Sequence, residues 1–306
     1  MSFVHPQALA FLEALKQGSA PPADIEGQRT WFSRLWRSMQ PKVGATVTFE
    51  PRTIVAGGRS IECLVYRPTG SVGALPVILF CHGGGGITLS PEDFDPTSRI
   101  LAHQVNAIVV VPRYRLAPEH PFPAPLEDCF AVYRWLVESG GKWDIDQERI
   151  AVAGDSAGGY LAAAIAQEAR RQSIPQPAAQ ALIYPMLDMA GASPSRYDRA
   201  YFVSDEALKS TIALHIGNAV LDPRASPLRE PDLAGIAPTL IITTDLDPLM
   251  DEGRAYAHRL RAAGVSASYF CYEGQVHGFF SFSGAMEEGK YCIAHISSWL
   301  RCNLHP

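Results

Sequence analysis

A serine with a glycine two residues away on either side is the first feature of this sequence that could do chemistry. It lies in AVAGDSAGGY, residues 151–160, where the apolar segment RIAVAG meets the helical pattern AGGYLAAAIAQEA. A strand-to-helix reversal this sharp strains the backbone at Ser156 and leaves no room for β-carbons at Gly154 and Gly158. The pattern therefore predicts an exposed hydroxyl beside a helix N-terminus, where the helix dipole favours developing negative charge.

A run of four glycines provides a second chemical feature. The apolar segment PVILFC leads directly into HGGGG, so Gly83 to Gly86 can expose their backbone N–H groups without interference from side chains. Acyl transfer needs such donors, because one N–H group aimed at the oxyanion of the tetrahedral intermediate supplies about 3 to 4 kcal/mol. The glycine run therefore predicts an oxyanion hole.

The serine also needs a base and an acid, because an alcohol is a weak nucleophile near neutral pH. Among nine histidines, His277 stands out because it follows the apolar segment ASYFCYE in a loop that can reach back across a sheet edge. Three carboxylates follow the segment PTLIITT, namely Asp245, Asp247 and Asp251. We assign the acid to Asp247 and keep Asp245 as the alternative. Asp247 precedes Pro248 and also fits a helix N-cap.

The elements that must position these residues follow from the rhythm of apolar residues. Two alternating segments flank Gly57 and Gly58 and predict a hairpin of half-buried strands. Helix-length patterns then separate short apolar runs, which predicts buried parallel strands between layers of helices. Hairpin and runs together give eight strands. The runs are residues 76–81, 107–112, 149–154, 179–185, 238–244 and 267–273.

Composition and charge exclude several function classes. The 306 residues carry a net charge of −5 without a cluster of Lys and Arg, so nucleic acid is not an expected partner. Apolar runs of about six residues are shorter than the roughly 20 that span a bilayer, and the N-terminus lacks the pattern of a secretion signal. We therefore expect a cytoplasmic protein without a stable membrane anchor. The six cysteines lack zinc-site spacing, and we expect no bound metal.

Two regions depart from the alternation of strands and helices. Residues 1–45 contain an aromatic helical stripe that includes Trp36, and residues 186–235 form a polar insertion that contains prolines. We predict that the first region is an N-terminal cap segment, and that the second adds a cap insertion to a main domain of residues 46–306. The aromatic stripe also fits ordinary core packing, and both interpretations hold if its helix crosses the mouth of a site.

The chain resembles the hormone-sensitive-lipase-like (family IV) esterases of the α/β-hydrolase superfamily. The nucleophile, acid and base occur in the order of that superfamily. The motifs that carry the resemblance are HGGG at 82–85, YRLAPEHPFPAPLED at 114–128, GDSAGG at 154–159, DPRASPL at 222–228, DPLMDEG at 247–253 and HGF at 277–279.

The resemblance implies an α/β-hydrolase fold with a helical cap and no cofactor. It implies Ser156 as the nucleophile, His277 as the base and Asp247 as the orienting acid. The same motifs imply an oxyanion hole from the N–H groups of Gly84, Gly85 and Ala157, with support from His82, Gly83 and Asp155. Relatives also pair through an edge strand, here ASYFCYE, which implies a homodimer.

Two positions differ from the usual family pattern. Gly86 stands where a bulky residue commonly follows HGGG, and Tyr160 stands where asparagine commonly follows GDSAGG. We therefore predict that Gly86, Tyr160 and Trp36 contribute to the substrate pocket. The missing side chain at Gly86 should widen the pocket and admit bulkier acyl or alcohol groups.

The function predicted from these residues is hydrolysis of carboxylic esters with short- to medium-chain acyl groups, through an acyl-enzyme. The same triad can cleave amides, so an amidase or a deacetylase of a specific metabolite is the alternative. A small-molecule receptor on the same scaffold is a third interpretation. The plant receptors that resemble this family lack the catalytic histidine, whereas His277 is present here.

Overall fold

A single eight-stranded sheet forms the centre of the protein in the computed structural model, which describes residues 3–44, 46–191, 193–199 and 201–305. The strands occur in the order β1-β2-β4-β3-β5-β6-β7-β8 across the sheet. Their bounds are β1 Val47–Ala56, β2 Arg59–Pro68, β3 Leu75–Cys81, β4 Ile108–Pro112, β5 Ile145–Asp155, β6 Ala179–Ile183, β7 Thr239–Leu246 and β8 Ala267–Val276.

The predicted strand count and the mostly parallel sheet are confirmed. β1 and β2 form an antiparallel hairpin, and β2 is antiparallel to β4, whereas every later pairing is parallel. Gly57 and Gly58 connect the hairpin with φ angles of 58° and 73°, the left-handed conformation that a tight two-residue turn requires.

Helices cover both faces of the sheet, so its central strands are buried on both sides. Along β3, Val77 and Leu79 point into one core while Ile78 and Phe80 point into the other, as the two-residue period of a strand dictates. The helices are α1 Pro6–Gln17, α2 Ile25–Met39, α3 Asp95–Val105, α4 Ala124–Ser139, α5 Ala157–Arg171, α6 Ser195–Asp198, α7 Asp205–His215, α8 Met250–Ala262 and α9 Glu287–Leu304.

The two cores are formed by different helices. One contains buried residues of α4, α5, α7 and α8, and the other contains buried residues of α1, α2, α3 and α9. Among the described residues, no helix is both long enough and apolar enough to cross a bilayer. Met1, Ala45 and Pro306, at which predicted domain boundaries fall, and Ala192 and Ala200 of the predicted insertion lie outside the described residues.

The carboxyl ends of neighbouring parallel strands bring the predicted chemical residues to one edge of the sheet. The glycine-rich segment follows the end of β3, and Ser156 follows the last residue of β5. Asp247 comes directly after β7, and His277 comes directly after β8. Parallel strands end on the same side of a sheet, so the four segments share one edge although they are far apart in sequence.

Candidate active site

Ser156 lies at a sharp turn between β5 and α5. Its backbone angles, φ 56° and ψ −120°, lie outside the regions that a non-glycine residue normally adopts. The close approach of neighbouring chain explains the flanking glycines: a β-carbon on Gly158 would lie 1.9 Å from the carbonyl oxygen of Cys81, and one on Gly154 would lie 2.3 Å from the carbonyl oxygen of Gly158. The turn therefore requires both glycines.

Gly158→Ala should lower the free energy of unfolding by about 3 kcal/mol, because the added methyl group collides with backbone that cannot move aside easily. Chemical denaturation measures the change. Gly44→Ala is the matched control, since a β-carbon at Gly44 meets nothing within 4 Å. Equal stability of the two variants would contradict the close approach described here.

Ser156, His277 and Asp247 form a continuous chain of hydrogen bonds. The Ser156 hydroxyl lies 2.9 Å from Nε2 of His277, and Nδ1 of His277 lies 2.7 Å from Oδ2 of Asp247. The other carboxylate oxygen of Asp247 accepts a hydrogen bond of 2.9 Å from the Leu249 N–H group. Tyr184 packs against the imidazole with ring centroids 4.5 Å apart. With Nδ1–H directed at the carboxylate, Nε2 is free to accept the serine proton.

The two other candidate carboxylates are occupied elsewhere. Asp245 accepts a hydrogen bond of 2.6 Å from the Gly274 N–H group, and Asp251 accepts one of 3.0 Å from the Ser195 N–H group. Burial raises the pKa of Asp245. Of the three, Asp247 is the carboxylate that contacts His277. The fit of Asp247 to a helix N-cap predicted that the helix would begin at Pro248. In the structure α8 begins two residues later, at Met250.

The glycine-rich loop turns tightly beside Ser156. The carbonyl oxygen of Gly84 accepts hydrogen bonds from the N–H groups of Ile87 and Thr88, at 3.0 Å and 2.9 Å. Within the described ranges, the N–H groups of Gly84 and Gly85 have no hydrogen-bond acceptor in the protein. Ala157 is the first residue of α5, so its N–H group has no acceptor within the helix. These are the three N–H groups that the resemblance assigns to an oxyanion hole, and that role stays a prediction.

His82, Gly83 and Asp155 hold this loop. The buried carboxylate of Asp155 accepts a hydrogen bond of 2.8 Å from the Gly83 N–H group, which ties the loop to the end of β5. His82 stacks on Tyr114, with ring centroids 4.3 Å apart, and the Tyr114 hydroxyl donates to the His82 carbonyl at 2.7 Å. Since Gly83 already donates to Asp155, its N–H group is not a donor for an oxyanion.

Asp155 should make stability depend on pH. Burial raises the pKa of its carboxyl from 3.8 to about 7. Between about pH 4 and pH 7 the folded chain retains this proton and the unfolded chain loses it, so the group lowers the free energy of unfolding as pH rises. Asp155→Asn keeps an acceptor for the Gly83 N–H group and should flatten this dependence. Urea denaturation of both proteins at pH 5 and pH 7.5 measures the change in the free energy of unfolding between the two pH values. An equal change in wild type and in Asp155→Asn would contradict the prediction.

A cavity of about 470 Å³ opens above Ser156 and His277. Its walls are mainly apolar, as in sites that bind small organic molecules. α1 and α2 supply one wall and the segment after β6 supplies another. The lining includes Leu12, Leu15, Trp31, Phe32 and Trp36 from the N-terminal helices, and Phe202, Val203, Leu208 and Thr211 from the insertion.

A protein-family model described as 'alpha/beta hydrolase fold' matches residues 78–281, which is more than half of the chain. Carboxylesterase NlhH of Mycobacterium tuberculosis is 37% identical over 79% of this chain and 79% of its own. The chain belongs to the hormone-sensitive-lipase-like esterases of the α/β-hydrolase superfamily.

Two further relatives agree with this family. Ethyl acetate hydrolase of Pseudomonas putida is 34% identical over 81% of this chain and 80% of its own. The crystal structure of a thermostable esterase from Pseudomonas putida superimposes with a TM-score of 0.94 at 30% identity, covering 99% of this chain and 98% of that one. The α/β-hydrolase fold predicted from the sequence is confirmed.

Within this esterase, two residues assigned to the pocket lie outside its lining. A β-carbon on Gly86 would lie 2.4 Å from the imidazole of His215, so this ring fills the volume that was expected to widen the pocket. Tyr160 is fully buried in the core that contains α5, and its ring centroid lies 5.9 Å from that of His215. Gly86→Phe would therefore collide with His215 rather than narrow the cavity. Trp36 does line the cavity, as expected.

Sequence reasoning missed two aromatic neighbours of the site. Tyr184 follows β6 at the same sheet edge as the other site residues, so its position at a strand end was an available signal. His215 lies at the end of α7 in the insertion, where no strand fixes its place and no local pattern reveals its contact with the glycine-rich loop.

Proposed function

We propose that this esterase hydrolyses carboxylic esters with short- to medium-chain acyl groups through an acyl-enzyme formed on Ser156. His277 acts as general base and then general acid, and Asp247 orients it. The observation that carries the proposal is the hydrogen-bonded chain from Ser156 through His277 to Asp247, with distances of 2.9 Å and 2.7 Å.

In the first step, the Ser156 hydroxyl oxygen attacks the ester carbonyl carbon while Nε2 of His277 takes the hydroxyl proton. The carbonyl oxygen becomes an oxyanion, which the N–H groups of Gly84, Gly85 and Ala157 stabilise. The ester bond then breaks, and the alcohol leaves with the proton from His277. Water repeats the sequence on the acyl-enzyme and releases the acid. Each of these steps uses only the chain, the substrate and water.

The apolar cavity supports an uncharged ester with a modest acyl chain. Its volume of about 470 Å³ is in the range of pockets that bind small organic molecules. One relative is an ethyl acetate hydrolase, a name that describes a short acyl group on a short alcohol. The preference for short to medium chains therefore agrees with both the cavity and this relative.

We also propose that residues 1–45 and 186–235 form a cap over the main domain of residues 46–306. Both regions contribute apolar side chains to the cavity, including Trp36 from the first and Leu208 from the second. The cap excludes bulk water from the reacting ester and forms the walls that select the substrate.

The cytoplasmic location and the homodimer remain proposals. The dimer would form through β8, which lies at one edge of the sheet. Edge strands carry unpaired backbone groups that can pair with another chain.

Hydrolysis of p-nitrophenyl esters with acyl chains of two to sixteen carbons tests the proposed reaction. We expect the largest kcat/KM at short to medium chain lengths, and a burst of p-nitrophenol equal to the enzyme concentration when deacylation is slower than acylation. Ser156→Ala is the control. Absence of hydrolysis across the series would overturn the proposal, and faster cleavage of matched amides would favour an amidase or deacetylase.

A further inference from the structure

We infer that His215 is a positioning residue for the oxyanion loop: its imidazole occupies the volume beside Gly86 and thereby keeps the N–H groups of Gly84 and Gly85 aimed at the reacting carbonyl. This inference rests on the proposed function, because it concerns the same oxyanion hole. It assigns a role to a histidine that neither the triad nor the pocket lining uses.

The imidazole lies directly against the loop. A β-carbon built on Gly86 would lie 2.4 Å from Cε1, 2.4 Å from Nδ1 and 2.8 Å from Nε2 of His215. Three atoms of one ring therefore surround the point where a side chain would begin. Because Gly86 has no side chain, the ring can pack against the main chain of the loop.

A second residue of α7 makes the neighbouring contact. Thr211, one helical turn before His215, places its Cγ2 atom 2.8 Å from the position of a β-carbon on Gly85. Two side chains on one face of α7 therefore pack closely against two successive glycines. One of these glycines, Gly85, carries a proposed oxyanion donor.

The main chain around His215 limits its movement. The carbonyl oxygen of His215 accepts a hydrogen bond of 2.7 Å from the Phe122 N–H group. The carbonyl oxygen of Gly86 accepts one of 2.8 Å from the Ala117 N–H group. Residues 117–122 therefore hold both partners of the contact, so the loop cannot shift from its position without pushing on a fixed ring.

The chemical state of His215 suits this role. The side chain is fully buried, and burial lowers the pKa of its imidazole to about 4, so the ring is neutral near neutral pH. The main chain of Gly85 acts in the opposite direction and raises the pKa of the imidazole, but the effect of burial is larger. Among the described residues, neither ring nitrogen has a hydrogen-bond partner. The ring of Tyr160 packs edge-on against the imidazole, with ring centroids 5.9 Å apart. His215 therefore acts through its rigid shape rather than through proton transfer.

His215→Ala should remove this support. A displacement of about 1 Å in a catalytic group costs roughly 100-fold in rate, and loss of one oxyanion donor costs about 100- to 1000-fold. We therefore expect kcat for p-nitrophenyl butyrate to fall about 10- to 100-fold, with KM changed by less than about threefold. Affinity for a trifluoromethyl ketone, which mimics the tetrahedral intermediate, should fall by the same factor as kcat. His215→Phe, which keeps a planar ring, should retain kcat within about threefold.

Ile212→Ala is the matched control for lost packing, because Ile212 is a buried residue on the same helix that does not line the cavity. It should lower the melting temperature to a similar extent while kcat and inhibitor affinity stay near the wild-type values. If His215→Ala loses no more kcat than Ile212→Ala, the inference is wrong. If His215→Ala does not fold, His215→Val serves in its place, with an expected loss of about tenfold.

A double-mutant cycle tests the contact itself. Gly86→Ala should lower kcat because its methyl group collides with the imidazole, and His215→Ala should relieve that collision in the double variant. The strain of a side chain at the positive φ of residue 86 is present with and without His215, so it cancels in the cycle. Additive effects would overturn the inference. Failure of the proposed function would look different, because wild type itself would then hydrolyse the ester no faster than Ser156→Ala.

Discussion

Ser156→Ala should lower kcat for p-nitrophenyl butyrate by about 10⁶-fold, the loss seen when the nucleophile of a triad is removed. In the proposed mechanism His277 deprotonates the Ser156 hydroxyl, whose oxygen lies 2.9 Å from Nε2, and alanine has no group to replace it. Residual hydrolysis would come from the oxyanion donors and from substrate binding alone. Steady-state kinetics with enough enzyme to detect slow turnover measures the effect.

A covalent label provides the control for this variant. A fluorophosphonate should add once to the wild-type chain at Ser156 and should not add to Ser156→Ala, as mass spectrometry would record. Ser173→Ala replaces a serine beyond the end of α5 and should leave both labelling and kcat unchanged. Rapid labelling of Ser156→Ala would show that another residue is the nucleophile.

Asp247→Asn should lower kcat by about 10⁴-fold. The Asp247 carboxylate accepts a hydrogen bond of 2.7 Å from the Nδ1–H group of His277, which leaves Nε2 unprotonated and able to take the serine proton in the proposed mechanism. An asparagine amide can instead donate to Nδ1, which would favour the tautomer that has its proton on Nε2. Steady-state kinetics with p-nitrophenyl butyrate measures the change in kcat.

Asp245→Asn is the matched control for the acid. Asp245 lies two residues earlier, at the end of β7, but its carboxylate accepts a hydrogen bond from the Gly274 N–H group rather than from His277. The amide oxygen of asparagine can keep that contact, so kcat should stay within about threefold of wild type. If Asp245→Asn inactivates the enzyme and Asp247→Asn does not, the assignment of the acid is wrong.

Local pattern was sufficient to predict the eight strands and the class of chemistry. Apolar segments such as PVILFC are buried on both faces in the structure, because a central strand of a parallel sheet has helices on both sides. The pair Gly57 and Gly58 marked the hairpin because its turn needs positive φ angles. Ser156 and the glycine run were recognisable for the same reason: short-range backbone geometry restricts which residues can occupy them.

Contacts between distant segments decided what the sequence left open. The sequence offered three carboxylates at and after the end of β7, and the path of the chain there decides which of them contacts His277. The interpretation of Gly86 as a pocket residue was wrong because His215, more than a hundred residues later, fills the adjoining volume.

The sequence by itself determined the strand pattern, the glycine-bounded serine and the glycine run that follows β3. Each of these depends on backbone conformation or periodicity within a few neighbouring residues. The tertiary structure alone decided which side chains line the cavity, which carboxylate faces the imidazole and what occupies the space beside Gly86. Those outcomes depend on close packing between segments far apart in the chain, and single-sequence periodicity carries no information about such partners.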